Sequence, residues 1–456
     1  MTGRRPTVPE IVRGLVMASP PVRIAREIRN DYDEMVVVLA IGDLISNFGF
    51  ALVFPFLSLY LTSVRGATVF QAGLLLGMFG LCRVVSNALG GWLSDRAGRR
   101  RVMIVSISAT AFLLAALGQA RDIESTTVVL LLLGLFDPAF GPAARAVVAD
   151  VVDSPRRPRA YALLAVAQNV GWIAGPAAGA GLAAFGYPLL FTLAAIAVGT
   201  YAVIVIRFLR ETRPTQSPPA EVRRTSAYRL AVPSAHGIPG DRAAIAPAGV
   251  RAPRLAFIAF LAVIFFVHIA EAQWFTTLPV YGSQVFGVTT QEWGLLFALN
   301  GLLIVALQLR VSRLMEGRSK LKIVAFGTVS LGAAFAATAT IPGAWLAVPI
   351  LMVTMTLVTV GEMIFEPLLP SIATDLSSSG LRGRYIGAIA AAVAAGEVVG
   401  PPLGGAILDH APGPLLWLLA ALVCACGASA IWFLAGRIGH YRDPSARPAE
   451  TPEAFL

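Results

Sequence analysis

The sequence predicts an all-α, polytopic membrane protein in which twelve transmembrane helices form two pseudo-symmetric bundles of six. Its 456 residues are 56% hydrophobic and 14% charged, whereas a soluble domain carries about 25% charged residues. The apolar residues are collected into twelve runs, each near the roughly 20 residues that cross a bilayer. The second half of the chain also repeats a pattern of the first. Together these observations exclude a soluble protein of one or two domains.

One long polar linker divides the predicted helices into two domains. The amino-terminal bundle covers 35–209, the linker 210–254 and the carboxy-terminal bundle 255–437, with cytoplasmic segments at 1–34 and 438–456. The linker is rich in proline and polar residues, which is typical of flexible connections. The predicted helices are 35–61, 71–93, 102–120, 126–149, 160–184, 187–209, 255–283, 291–311, 321–342, 345–369, 384–409 and 414–436.

Lysine and arginine are concentrated on one side of the predicted membrane. Of the 36 such residues, 32 fall in the termini, the linker and the loops of one side. Arg65 and Arg121 fall in loops of the other side, and Arg83 and Arg145 fall inside helices. Because positively charged loops stay in the cytoplasm, we expect both termini there, in the plasma (cytoplasmic) membrane of a bacterium. The net charge of +10 then reflects topology, and no nucleic-acid partner is expected.

An internal repeat supports two related halves. At an offset of 225 residues, the fourth and fifth helices match the tenth and eleventh. Duplication of a six-helix unit is the simplest cause, and it relates the halves by an axis along the membrane normal. The matches are Asp137 with Glu362, Pro142 with Pro367, Asp150 with Asp375, Arg157 and Arg159 with Arg382 and Arg384, and Gly171, Gly175, Pro176 and Gly179 with Gly396, Gly400, Pro401 and Gly404.

The stretch GWLSDRAGRRR connects the second and third helices and cannot lie in hydrocarbon. It resembles the signature loop between helices 2 and 3 of the major facilitator superfamily; an ordinary positively charged loop is the alternative. The resemblance implies a cytoplasmic gate in which Asp95 caps helix 11 and Arg99 pairs with Asp150, closing that side in the outward-open state. The second-half counterpart, SRLMEGRSK, keeps the basic charge and lacks the Asp. The predicted gate residues are Gly91, Asp95, Arg96, Gly98, Arg99 and Asp150.

Two further motifs resemble those of twelve-helix drug:proton antiporters in that superfamily. One is GWIAGPAAG in helix 5, with its copy GEVVGPPLGG in helix 11, and the other is GFALVFPF in helix 1. The resemblance implies that the helix 5 motif closes the outer half of the contact between the domains; plain helix packing along a glycine ridge is the alternative. An arginine usual early in helix 4 of these antiporters is missing. The predicted domain-interface residues are Gly171, Gly175, Pro176, Gly179, Gly396, Gly400, Pro401 and Gly404.

Ionisable side chains inside the predicted helices indicate a transport site, because a charge at mid-bilayer costs a few kcal/mol. In the fold that the sequence resembles, helices 1, 4, 7 and 10 line a central cavity, so Asp137 and Glu362 should face each other across it. A carboxyl there can hold and release a proton or pair with a cationic substrate. The alternative is a structural ion pair, for example Arg83 with Asp43 or Asp137. The predicted cavity residues are Asp43, Asp137, Glu271, Glu362, Glu366, Glu397, Arg83, Arg145 and His268.

The sequence thus predicts a secondary active transporter that exports small amphipathic or cationic compounds in exchange for protons by alternating access. It contains no Gly-x-x-x-x-Gly-Lys-Ser/Thr, His-Glu-x-x-His or Gly-x-Ser-x-Gly motif, so neither an enzyme nor a cofactor or metal site is expected. An exporter of a sugar, amino acid or other metabolite and a transport-inactive membrane sensor or scaffold remain open. We expect a monomer in the lipid bilayer, with a small-molecule substrate and protons as its partners.

Overall fold

The computed structural model describes residues 32–182, 185–212, 251–377 and 381–437. Nearly all of the predicted segment 1–34, most of the linker 210–254 and the tail 438–456 lie outside the described residues. Within the described ranges the regular elements are helical. The long helices are α1 Glu34–Val64, α2 Val69–Ala97, α3 Arg99–Gln119, α4 Ile123–Val151, α5 Arg157–Leu182, α6 Tyr187–Phe208, α7 Arg251–Phe286, α8 Thr290–Met315, α9 Lys320–Ala339, α10 Ala344–Leu376, α11 Arg382–His410 and α12 Gly413–Arg437.

Eleven helices in the described part of the chain are long and apolar enough to cross a membrane, and α5 is not among them. Polar residues such as Gln168 and Asn169, together with its glycines, lower the mean hydropathy of α5. This helix packs between α1 and α8, so less of its surface has to face lipid. Helix α7 begins at Arg251, four residues before the predicted start at 255.

Prolines interrupt two helices near the middle of the molecule. A 3₁₀ turn, Phe54–Phe56, interrupts α1 at Pro55, and another, Asp137–Ala139, interrupts α4 at Pro138. Proline has no N–H to donate and clashes with the preceding turn, so carbonyl groups near it need other donors. The Ser106 hydroxyl of α3 donates to the carbonyl oxygen of Phe136 at 2.7 Å. The break therefore fixes Asp137 at the centre of α4.

Each half of the chain has its own hydrophobic core. One core is formed by buried residues between Val36 and Leu209. The other is formed by buried residues between Phe257 and Ile431, and Phe56, Leu59 and Val69 of the first half join it. The two bundles of six helices that the sequence predicts are thus separate packing units that meet along one side.

The repeat extends to the start of the second helix of each half. A capping box starts α2 at Thr68 and Gln71, and an equivalent one starts α8 at Thr289 and Glu292. Each pair satisfies N–H groups of the first helical turn. The offset here is 221 residues, compared with 225 for the fourth and fifth helices, so the halves differ by four residues between these elements. The duplication therefore covers more of the chain than the motif comparison detected.

The glycines of the α5 and α11 motifs pack on neighbouring helices of their own bundles. An added Cβ at Gly171, Gly175 or Gly179 would first meet atoms of α1, including the Leu44 and Phe48 backbone. At Gly396, Gly400 or Gly404 it would first meet atoms of α7. This arrangement is the plain helix packing given above as the alternative. Small residues let two neighbouring helices approach to backbone contact.

Other glycines make the contact between the bundles. Gly73 and Gly77 of α2 pack on the carbonyl groups of Pro401 and Val398 in α11, and Gly294 and Gly301 of α8 pack on Ala180 and Ile173 of α5. Of the predicted interface residues, Pro401 does meet the opposite bundle. All of these contacts lie away from the side where α1 begins and α12 ends. We call that side the basic side and the opposite one the far side; the bundles are closed on the far side.

An aspartate of one bundle caps a helix of the other at this far-side closure. The Asp409 carboxylate, at the end of α11, accepts hydrogen bonds from the backbone N–H groups of Val69 at 3.1 Å and Phe70 at 2.8 Å. These N–H groups open α2 and have no partner within their own helix. The carboxylate also meets the positive end of the α2 dipole. Opening the far side would break both bonds.

We predict that Asp409→Asn shifts the protein towards the conformation with an open far side. The substitution removes one of the two acceptor oxygens and the negative charge at the positive end of α2, which contributes about 0.3–1 kcal/mol, or up to roughly a fivefold change in the ratio of two conformations. Spin labels on the exposed Arg121 and Pro412, one on each bundle, should report longer distances. The matched control is Asp122→Asn, because Asp122 caps α4 within its own bundle through Ser125. Equal distances in wild type and Asp409→Asn would contradict the prediction.

Candidate functional site

A cavity of about 510 Å³ lies between the two bundles. Its polar lining comes mainly from the second half of the chain. Its aromatic lining comes mainly from the first half. Helices α1, α2, α5, α7, α10 and α11 contribute to it, so α2 and α11 take part while α4 does not. The main lining residues are Phe50, Phe54, Phe79, Arg83, Asn87, Trp172, His268, Glu271, Phe275, Glu362, Glu366 and Glu397.

A second, smaller cavity of about 180 Å³ lies within the amino-terminal bundle. Asp43, Asp137 and Arg145 line it, and they do not line the larger cavity. Arg83, Asn87, Phe50 and Trp172 line both cavities and form the boundary between them. The nine predicted cavity residues are therefore divided between two spaces. In particular, Asp137 and Glu362 do not face each other across one cavity, because Arg83 stands on the boundary.

Arg83 and Asp137 form an ion pair near the middle of their helices. The Nη1 atom of Arg83 donates to Oδ2 of Asp137 at 2.9 Å. The guanidinium carbon lies 5.3 Å from the Phe50 ring centre and 5.5 Å from that of Phe79, within the range of cation–π attraction. Of the two pairs that the sequence left open for Arg83, this is the one with Asp137.

Asp43 is the most enclosed acid of the smaller cavity, with 5% of its surface exposed. The Tyr201 hydroxyl lies 3.5 Å from its Oδ1 atom. Arg145 lines the same cavity near the basic end of α4. Asp43 is therefore held among polar groups of its own bundle, away from the larger space.

Glu362, which lines the larger cavity, is held by a hydrogen bond from Asn300. The Asn300 side-chain amide of α8 donates to Glu362 Oε2 at 2.7 Å and to the Thr359 hydroxyl at 3.0 Å. Asn300 was not among the predicted site residues, because a lone amide in an apolar run carries no recognisable pattern. Glu366 follows one helical turn later on the same face of α10, and Glu397 reaches the cavity from α11.

His268 and Glu271 form a buried pair on α7. The Nδ1 atom of His268 lies 2.7 Å from the carbonyl oxygen of Ile264. Since a carbonyl oxygen can only accept a hydrogen bond, Nδ1 must carry a proton. The opposite ring atom, Nε2, lies 3.5 Å from Oε2 of Glu271. In a neutral imidazole this Nε2 is a bare acceptor, so a proton can be held between His268 and Glu271.

The predicted gate residues are brought together on the basic side. The Arg99 guanidinium lies 3.0 Å from Asp150 and 3.3 Å from Asp95. Glu211, just after α6, accepts hydrogen bonds from the backbone N–H groups of Arg99 and Arg100. The Asp95 side chain is 71% exposed, so it remains accessible to a partner from the other bundle. Arg96 packs over the Trp92 ring at 4.2 Å.

The second half has an equivalent ion pair that sequence reasoning missed. Lys320 Nζ lies 2.6 Å from Oδ2 of Asp375. Asp375 is the repeat partner of Asp150, and Lys320 follows Arg99 by the 221-residue offset of the first helices. The degenerate loop motif concealed this pair, since the offset of 225 does not align the two basic residues. In each bundle, an ion pair therefore connects the loop on the basic side to the end of α4 or α10.

We predict that Gly98→Ala destabilises the basic-side loop. Gly98 has φ of +99°, and an added Cβ would lie 2.5 Å from Oε2 of Glu211. A non-glycine residue in such a conformation costs about 1–3 kcal/mol. The control is Gly91→Ala, because the nearest atom there is Pro142 Cβ at an ordinary 3.8 Å. Thermal unfolding of the purified protein should show a lower melting temperature only for Gly98→Ala; an equal loss in both variants would refute this.

The sequence of the chain matches a known family and several transporters within it. Residues 39–360 match the family model of the Major Facilitator Superfamily. An uncharacterized MFS-type transporter YqjV of Bacillus subtilis is 26% identical over 81% of this chain and 85% of its own. A Na(+), Li(+), K(+)/H(+) antiporter of Planococcus maritimus is 27% identical over 81% and 89%. Multidrug resistance protein 2 of Bacillus subtilis is 22% identical over 88% and 96%.

Solved structures agree at the level of the fold. A peptide transporter POT in complex with sulfate superposes with a TM-score of 0.71 at 17% identity, covering 90% of this chain and 95% of that one. The nucleoside transporter NupG superposes with a TM-score of 0.69 at 13% identity, covering 88% and 99%. With the sequence match, the twelve helices in two bundles and the cavity between them, the chain belongs to the Major Facilitator Superfamily, and it is a membrane transporter rather than an enzyme.

Proposed function

We propose that the protein exports small amphipathic cations in exchange for protons. The observation that carries this proposal is the composition of the larger cavity, where four glutamates share one space with a wall of aromatic rings. The glutamates are Glu271, Glu362, Glu366 and Glu397. So many acids would repel an anionic substrate and would offer a neutral one only hydrogen bonds, whereas a cation would pair with them.

The aromatic wall favours an organic cation. Phe50, Phe54, Phe79, Trp172 and Phe275 offer apolar area and ring faces that attract cations. A volume of about 510 Å³ lies within the roughly 300–1,000 Å³ of small-molecule sites. A drug-sized amphipathic cation could bury its apolar body against these rings and place its charge among the acids.

The pair of His268 and Glu271 supports proton exchange at the same site. The proton between Nε2 and Oε2 neutralises one acid of the cavity. Release of this proton adds a negative charge, which strengthens cation binding; conversely, a bound cation favours release. Proton and substrate therefore compete, and competition of this kind is sufficient for antiport. Closure on the far side leaves the cavity to exchange with the basic side, which the arginine distribution predicts to be cytoplasmic.

A second candidate is exchange of alkali cations for protons. It is favoured by the relative named as a Na(+), Li(+), K(+)/H(+) antiporter and by the same four acids. Hard cations prefer oxygen ligands, and the aromatic wall supplies none. Organic cations therefore explain both the acids and the aromatic rings of the cavity, whereas alkali cations explain only the acids.

We predict that lipophilic cations drive proton movement in proteoliposomes that contain a pH-sensitive dye. Glu362→Gln should lower the initial rate about tenfold, which corresponds to ~1.4 kcal/mol, because it removes one charge from the cation site. Glu316→Gln is the matched control: Glu316 is exposed between α8 and α9 and should leave the rate unchanged.

Three outcomes distinguish the candidates. Proton movement with lipophilic cations, lost in Glu362→Gln, supports the proposal. Proton movement with sodium or potassium alone would favour the second candidate. An absence of proton movement with either kind of cation would refute both and direct the search to other metabolites.

A further inference from the structure

One side chain, that of Arg83, borders both cavities. It lies at the centre of α2. On one side it is bound to Asp137. On the other side it faces the space that holds the four glutamates. The Arg83 side chain is 35% exposed, and its bond to Asp137 uses one of the five guanidinium N–H donors.

The two halves differ at this point. Asp137 and Glu362 are repeat-related, but the residue equivalent to Arg83 in α8 is Ile304 at the offset of 221. Glu362 is instead bound by the neutral Asn300. The acid of the first half is thus neutralised by a resident cation, and the acid of the second half is left for a cation from outside.

We propose that Arg83 couples two separate sites: a proton site at Asp137 in the smaller cavity and the cation site in the larger cavity. This inference rests on the proposed function and adds, to the direct competition at His268 and Glu271, a second route by which proton and substrate exclude each other. While Asp137 is ionised, Arg83 stays bound to it. The larger cavity then keeps its full negative charge and binds the cationic substrate.

Protonation of Asp137 reverses this arrangement. A proton from water forms an O–H bond on the carboxylate, and the net charge that attracted Arg83 is lost. The guanidinium then turns to the four glutamates, where it takes the place of the substrate cation. In the other direction, a bound substrate repels Arg83 towards Asp137 and favours loss of its proton. No residue has to contact both proton and substrate.

The charged surroundings are consistent with this exchange. In the smaller cavity Arg83 and Asp137 share their space with Asp43 and Arg145, while the Tyr201 hydroxyl adjoins Asp43. In the larger cavity the groups that face Arg83 are His268, Glu271, Glu362, Glu366 and Glu397. The acids outnumber the bases in the larger cavity, so a guanidinium released from Asp137 is attracted there. The His268–Glu271 pair adds its own dependence on pH, so the decisive test has to be made at one fixed pH.

The test is a double-mutant cycle on the affinity of the purified full-length protein for a radiolabelled lipophilic phosphonium cation at pH 8. Asp137→Asn imitates the protonated acid and releases Arg83, so it should weaken binding about tenfold, within the range of coupled sites. Arg83→Gln should bind at least as tightly as wild type. The double variant should also bind tightly, because Arg83 is the means by which Asp137 acts. Arg83→Lys, which keeps the charge, should preserve the weakening by Asp137→Asn.

Several results would overturn the inference. Unchanged affinity in Asp137→Asn would do so, as would equal weakening in Asp137→Asn and the double variant. If Asp137→Asn does not fold, judged by its melting temperature, the comparison of wild type with Arg83→Gln between pH 6 and pH 8 decides. Arg83→Gln must then lose part of the wild-type pH dependence. A wild-type protein that binds no cation at either pH refutes the proposed function, whereas normal binding without the predicted cycle refutes only the coupling.

Discussion

The ion pair of Arg83 and Asp137 lies at the middle of the membrane span, where an isolated charge is costly. Its position depends on two local features, the central turn of α2 and the proline break of α4. Because the pair is satisfied within the first bundle, the second bundle is free to present unneutralised acids. The division of the interior into a cavity with two acids and two arginines and a cavity with four glutamates follows from this one contact, and the proposed exchange depends on that division.

The contact between the bundles obeys a related constraint on helix ends. The first N–H groups of a helix need acceptors, and at the far side α2 obtains them from Asp409 of α11. The signature loop implies the reverse arrangement on the basic side, where Asp95 at the end of α2 would cap the start of α11. Each helix of this pair therefore ends in an aspartate suited to cap the other. Under the proposed alternating access, only one of the two caps forms at a time, because rocking that closes one side opens the other.

Much of the fold could be predicted from the sequence, because long apolar runs and an asymmetric arginine distribution are strong local signals. The cluster of Asp95, Arg99 and Asp150 was also predictable, since its motif is nearly complete. The glycines of α5 show what could not be predicted from the sequence. Spacing at i and i+4 reveals that Gly171 and Gly175 support close packing, but not which helix packs there. Likewise, the sequence marked Arg83 as buried and ionisable, whereas only the three-dimensional arrangement distinguishes the two cavities that it separates.

In the exchange that we propose, the asymmetry between the halves gives a duplicated architecture two different acids. Two identical halves would present two identical acids, and proton and substrate would have equal access to both. In this chain the repeat-related acids have different partners: a permanent cation for Asp137 and a neutral amide for Glu362. One acid can therefore respond to protons while the other responds to a cation. The scaffold keeps its pseudo-symmetry, which rocking requires, and the chemical difference is confined to a few side chains at the boundary of the two cavities.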